Sequence, residues 1–284
     1  MEQYNQFRQW LKQHEIMDQE KWLEQFVLAY NGDDHAMIQI ALLYKQHEYF
    51  EEMYELLITA STHQNTDALY ELANCYFESL AGKGSEQQAF LLYEKAARLG
   101  HSNAMNNLAD MYLNGESTEV DEKKALYWFE RAAELGVAEA MYTLGLMHEQ
   151  GLGTSRDEAL AFAYYHHSAK HDDIEAMYRL GMIFFSAELG QRQDEIEAVT
   201  WFLKASEHFH VDATFNLGYC YEHGCGVERQ LEKAIHYYKQ ASMLGDREAT
   251  KKVEQYYEQI NKEQGKKWKK RLRHLGELNE DDNK

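Results

Sequence analysis

The sequence predicts an all-α chain, an α/α superhelical solenoid of helical hairpins, and three observations carry that prediction. None of the 284 residues is proline, where average usage of about 5% would place roughly a dozen or more. The strongest helix breaker is therefore missing from the whole length. An alanine recurs at Ala36, Ala68, Ala104, Ala140, Ala176, Ala213 and Ala249, at spacings of 32, 36, 36, 36, 37 and 36 residues. Each recurrence also carries the same kinds of residue at the same offsets. Four positions on stand Ile40, Leu72, Leu108, Leu144, Leu180, Leu217 and Val253. Five positions on come Ala41, Ala73, Ala109, Gly145, Gly181 and Gly218, and eight on come Tyr44, Tyr76, Tyr112, His148, Phe184, Tyr221 and Tyr257. Offsets 0, 4, 5 and 8 lie on one face of an α-helix. A fixed period of this length marks a solenoid, because one hairpin cannot bury both of its apolar faces alone.

The stretch Ala104–Glu139 shows the repeating unit. Ala104, Leu108, Ala109 and Tyr112 form the face of a first helix, which Gly115 and the polar run Glu116–Glu122 interrupt. Ala125, Trp128, Phe129, Ala132 and Ala133 form the face of a second helix, ended by Gly136 where a left-handed cap is commonly needed. Comparable second-helix seams read Ala89/Tyr93/Ala96/Ala97, Ala161/Tyr164/Tyr165/Ala169, Ala198/Trp201/Phe202/Ala205 and Ala234/Tyr237/Tyr238/Ala241.

In chain order, residues 1–35 read as an N-terminal cap, with Phe7, Trp10 and Leu11 facing Trp22, Leu23, Phe26, Val27 and Tyr30. Residues 36–67 are a short, degenerate repeat whose turn shrinks to Lys45–Glu48. Five full repeats fill 68–248. Residues 249–284 form a C-terminal cap: another first helix, a basic stretch from Lys262 to His274, and an acidic tail from Glu277. The whole is expected to be a single solenoid. The basic stretch is expected to dock on the chain's own acidic surface rather than on nucleic acid.

The recurring pattern A-x-x-x-L-G/A-x-x-Y, then G-x-G, then A-x-x-W/Y-Y/F-x-x-A-A-x-x-G resembles the Sel-one-like repeat (SLR), a relative of the tetratricopeptide repeat. The resemblance covers the five full repeats closely and the flanks loosely. It implies a helical solenoid that binds other proteins, often as an adaptor or scaffold. The turn Gly-x-Gly is intact only at 82–84, 151–153 and 224–226.

Composition narrows the partner. A net charge of −19 disfavours nucleic acid and anionic membranes and favours a basic partner. Three cysteines are too few and odd for a disulfide framework and suit a reducing compartment. The N-terminus lacks the pattern of a secretory signal, and no apolar run approaches a membrane span of about 20 residues. The expected location is cytoplasmic.

No residue pattern calls for catalysis, a cofactor or a metal. No serine is followed three residues later by lysine, so the serine–lysine chemistry of penicillin-interacting enzymes has no counterpart. Cys220, His223 and Cys225 cluster near a helix end, but a zinc site wants a fourth ligand, and Cys220 shares its repeat offset with Cys75, which argues for packing. His166–His167 and the pair His208/His210 are placed on second-helix segments without acidic or cysteine partners. The glycine turns lack the residues that grip phosphate.

If the hairpins stack as tetratricopeptide repeats do, the first helices line a concave face, with offsets −1, 2, 6 and 9 directed into it. The expected partner-binding residues are Tyr70, Phe77, Glu139, Tyr142, Glu149, Glu175, Tyr178, Phe185, Asp212, Phe215, Tyr219 and Glu222. Aromatic rings beside carboxylates suit a basic or amphipathic protein segment, through cation–π contact and charge pairing. Two readings compete with this at the level of single residues. Acids at offset −1 also suit a helix N-terminus, and the ring ladder could be packing between repeats. The expected function is a non-enzymatic interaction scaffold or adaptor. The alternatives are an inhibitor or immunity protein that neutralises a basic toxin or nuclease, and, in a different class, a metal-binding or hydrolytic enzyme.

Overall fold

The computed structural model describes residues 2–260 and 270–271. Apart from Lys270 and Arg271, the expected basic stretch and acidic tail lie outside the described residues. Among the described residues there are fifteen α-helices and no strand, and the chain forms two compact units, Met1–Val137 and Ala138–Lys284.

The first unit contains α1 (Glu2–Gln13), α2 (Gln19–Tyr30), α3 (Asp34–Gln46), α4 (Phe50–Thr62), α5 (Thr66–Phe77), α6 (Glu86–Arg98), α7 (Ser102–Asn114) and α8 (Glu122–Glu134), with a 3-10 turn at Leu80–Gly82. The second contains α9 (Ala138–Gln150), α10 (Glu158–Lys170), α11 (Ile174–Ser186), α12 (Glu195–Glu207), α13 (Val211–His223), α14 (Leu231–Met243) and α15 (Arg247–Ile260). Within each unit every helix packs on the next, and first helices also touch across a repeat, as α3 does α5 and α11 does α13. Helices α1–α2 and α3–α4 pack in adjacent pairs and share one core through Phe7, Leu11, Ile40 and Leu57.

The register of the repeat follows from local chemistry at the start of six of the seven first helices, the exception being α9, where Val137 stands at the cap position. Three residues before the recurrent alanine sits an N-cap: Asp33, Asn65, His101, Asp173, His210 or Asp246. Its side chain accepts the alanine's backbone N–H at 2.6–3.2 Å, satisfying a donor that has no partner inside the helix. One residue earlier still, the chain passes through left-handed backbone. Glycine takes that place at Gly32, Gly100, Gly136 and Gly245, and Gln64, Asp172 and Phe209 take it elsewhere.

The small residue at offset 5 has a different cause. Gly145, Gly181 and Gly218 lie in ordinary helix, but a Cβ there would stand 2.5–2.6 Å from ring carbons of Tyr165, Phe202 and Tyr238. Each ring belongs to the second helix of the same repeat and is fully buried. The glycines let the two helix axes close over a flat aromatic ring. In the first unit Ala41, Ala73 and Ala109, all buried, hold the same offset.

Candidate functional site

The expected site residues divide unevenly: Tyr70 and Phe77 lie in the first unit and the other ten in the second. At offset 2 the rings are half-buried. Tyr142 meets Tyr165 at 5.5 Å between centroids and Phe215 meets Tyr238 at 5.3 Å. Tyr70 and Tyr178 stack at 4.4 Å on His101 and His210, the histidines that cap the next first helix. Each imidazole accepts a backbone N–H through Nδ1, which requires the neutral ring with its proton on Nε2. That nitrogen faces Asp67 at 3.5 Å or Glu175 at 3.4 Å. Burial pushes the His101 pKa below its ordinary value, against the pull of Asp67, which keeps the capping form in place. His210 thus belongs to the start of a first helix, not to a second-helix segment as its sequence context suggested.

At offset 9 the two glutamates are engaged inside the repeat array. Glu149 accepts the Tyr165 hydroxyl at 2.6 Å and Arg179 from the next first helix at 2.5 Å. Arg179 also bridges to Glu188 at 2.6 Å. Glu222 accepts the Tyr238 hydroxyl at 2.6 Å and Lys252 at 2.8 Å. Burial alone would raise the Glu222 carboxyl, but the bonds from Lys252 and Tyr238 outweigh it and hold the pKa below its ordinary value. Both tyrosine hydroxyls are pushed up, first by burial and then by the carboxylates they face. Where the second helix carries phenylalanine instead, as at Phe202, offset 9 is apolar Phe185 at 6.3 Å and no carboxylate is needed.

The acids at offset −1 are differently placed. Glu139, Glu175 and Asp212 are exposed in the first turns of α9, α11 and α13, where the helix dipole favours negative charge. Phe77 and Tyr219 are 45% and 38% exposed, and Tyr219 leans on Phe185 at 6.1 Å and His223 at 4.1 Å.

Two features escaped the sequence reading. The tyrosine–glutamate–base triplets had a signal, since Glu149 and Glu222 are each followed thirty residues on by Arg179 or Lys252. Phe209 had a weaker one, a bulky residue at an offset that most repeats give to glycine. It holds left-handed backbone, φ +64, with its side chain 74% exposed. It adjoins His210, the ring on which Tyr178 stacks.

Cys220 lies in the core of the second unit, with Cys225 packed against it. Cys220 is buried and its thiol is pushed up to about 12, first by burial and then by Cys225 and Glu195. A thiol so hard to ionise is a poor nucleophile. Among the described residues no three His, Cys, Asp or Glu side chains converge on a metal-sized space. No described helix is long and apolar enough to cross a membrane.

The model of the Sel1 repeat matches five consecutive segments, 66–101, 102–137, 138–173, 174–208 and 211–246. The chain belongs to the Sel1 repeat family. Sel1 repeat proteins generally mediate protein–protein interaction, and the Sel1 architecture is typically a non-enzymatic scaffold. Solved structures share the fold. A Sel1 repeat protein from Oxalobacter formigenes is 23% identical, aligns over 84% of this chain and 99% of its own, and superposes with a TM-score of 0.76. The protective antigen c5321 of uropathogenic Escherichia coli is also 23% identical, over 87% of this chain and 55% of that one, with a TM-score of 0.74. The immunity protein PA5088 of Pseudomonas aeruginosa, 22% identical over 74% and 81% of the two chains, has a TM-score of 0.49, too loose a likeness to carry an argument. No curated protein sequence matches this chain.

Proposed function

We propose that this Sel1 repeat chain is a non-enzymatic scaffold or adaptor, and that its second unit holds a basic or amphipathic segment of a partner along the starts of α9, α11 and α13. The observation that carries the reading is Phe209. Left-handed backbone costs a residue with a Cβ about 1–2 kcal/mol, and a side chain 74% exposed recovers little of that by packing. Leu189, another left-handed residue, is buried and has an evident return. An exposed aromatic in a costly conformation is the kind of anchor that interfaces use. The same unit carries exposed Glu139, Glu175 and Asp212 and half-buried Tyr142, Tyr178 and Phe215. Glu149 and Glu222 take a supporting role in this reading, since their carboxylates already answer Arg179 and Lys252.

The test compares baits in a native lysate, with captured proteins identified by mass spectrometry. Phe209→Gly relieves the backbone and is expected to melt no lower than the parent while losing most of the capture. Charge reversal of Glu139, Glu175 and Asp212 to lysine is expected to abolish it, with a melt run alongside because each acid also favours the first turn of its helix by about 0.3–1 kcal/mol. Tyr142→Ala with Tyr178→Ala should do the same, at some cost in stability from their half-buried sides. Capture should also weaken with added salt. A partner retained equally by the glycine and the charge-reversed baits would sink the proposal.

A further inference from the structure

Outside the five matched repeats, a cavity of about 480 Å³ opens into the first unit between α1, α2, α3 and α4. That volume lies within the range of about 300–1,000 Å³ typical of small-molecule sites. Five aromatic residues line it: Phe7, Trp10, Phe26, Tyr30 and Tyr44. Four of the rings brace one another, while Tyr30 stands at the exposed rim. Phe7 stacks on Phe26 at 4.7 Å and on Trp10 at 5.9 Å, and Tyr44 sets its edge to Trp10 at 4.9 Å. One wall differs from the rest. It is supplied by α4, where Glu52 and Glu55 stand on one face, three residues apart.

No lysine, arginine or histidine lines the cavity, and neither glutamate forms an ion pair among the described residues. The contrast with Glu149 and Glu222, each answered by a base, is direct. The negative field reaches the aromatic wall: the Tyr44 hydroxyl is pushed up to about 12, first by burial, then by Glu52 and Tyr49. Ring faces attract cations through their quadrupoles, most strongly where water is thin, and the carboxylates supply the formal countercharge.

We propose that this cavity is a binding site for an organic cation carried on an apolar body, an alkyl or aryl ammonium or a guanidinium. The aromatic walls take the body and the ring faces, together with Glu52 and Glu55, take the charge. The site shares no residue with the face of the second unit and does not depend on it.

The test titrates the full chain, by calorimetry and by ligand-observed NMR, with phenethylamine, with its neutral counterpart phenethyl alcohol, and with a short peptide bearing one arginine between leucines. Charge recognition of this kind is worth about tenfold in affinity. At least one cationic probe should therefore bind about tenfold more tightly than the alcohol. Glu52→Gln with Glu55→Gln should remove that preference while leaving the circular dichroism melt unchanged, since neither glutamate is in an ion pair. Binding of the amine identifies a free small molecule as the natural class of ligand, and binding of the peptide alone identifies a partner's side chain; either outcome upholds the site. Equal affinity for the alcohol, no effect of the paired glutamine substitutions, or no binding of either cation overturns it.

Discussion

Replacing Gly181 with alanine isolates the contact that sets the distance between the two helices of a repeat. Alanine is the better helix former by about 1 kcal/mol, so on propensity alone Gly181→Ala should stabilise α11. The structure predicts the opposite sign. A Cβ at this position lies 2.5 Å from two carbons of the Phe202 ring, where carbon atoms prefer about 3.5–4.0 Å. The ring cannot step aside freely, because it is fully buried and has Tyr178 at 6.1 Å and Phe185 at 6.3 Å. Overpacking of this kind costs about 1–3 kcal/mol, which outweighs the propensity gain. The expected net loss is about 1 kcal/mol, or about 2–4 °C in melting temperature. Urea unfolding followed by far-UV circular dichroism would measure it. Ala109→Gly at the same offset of α7 is the control and should also lose about 1 kcal/mol, there for want of propensity. Combining Gly181→Ala with Phe202→Leu should show a favourable coupling of at least about 0.5 kcal/mol in a double-mutant cycle. A Gly181→Ala protein more stable than the parent, or a coupling of zero, would refute the packing argument.

Three further substitutions test buried polar groups. Burial, with Glu116 adding, raises the Asp110 carboxyl to about 6 from its ordinary value of 3.8. The folded state therefore keeps this proton where the unfolded chain has lost it. The residue's contribution to stability is full below the unfolded value and is lost as pH rises through about 6. Asp110→Asn should accordingly stabilise the protein by about 1–3 kcal/mol near pH 7 and by nothing near pH 4, as pH-resolved urea melts would show. Tyr165→Phe should cost about 1.5–3 kcal/mol, the worth of a hydrogen bond to a charged acceptor. In the reverse direction, Phe202→Tyr should destabilise by leaving a buried hydroxyl without an acceptor. Adding Phe185→Glu and Asn216→Lys should recover the loss, by copying the Tyr165, Glu149 and Arg179 arrangement; no recovery would mean the triplets are incidental.

The candidate face was legible in part. Offsets on a helix are enough to put Glu139, Glu175 and Asp212 at helix starts and in solvent, because the first turn of a first helix has only one buried face. They could not separate those acids from Glu149 and Glu222, which carry the same charge and a similar promise. The difference lies in what stands opposite, and that is supplied by a residue some thirty positions away on the next repeat. The pairing was nonetheless written in the chain for two repeats, where Tyr165 and Tyr238 accompany a glutamate at offset 9 and a base in the following first helix; Tyr93 instead donates to Asn74. Phe209 could not be weighed from sequence, since the cost of its backbone appears only once the turn geometry is known.

The sequence by itself determined the helices, their order and the period, because these depend on short-range terms: periodic apolar faces, capping side chains three residues before six of the seven alanines, and the absence of proline. It also determined that small residues sit where helices meet. Tertiary structure alone decided which carboxylates are neutralised and which are exposed, which histidines are caps, and that the first four helices leave an acid-edged aromatic cavity. Those properties arise where side chains from different helices come together, and no local pattern encodes the distance at which they meet.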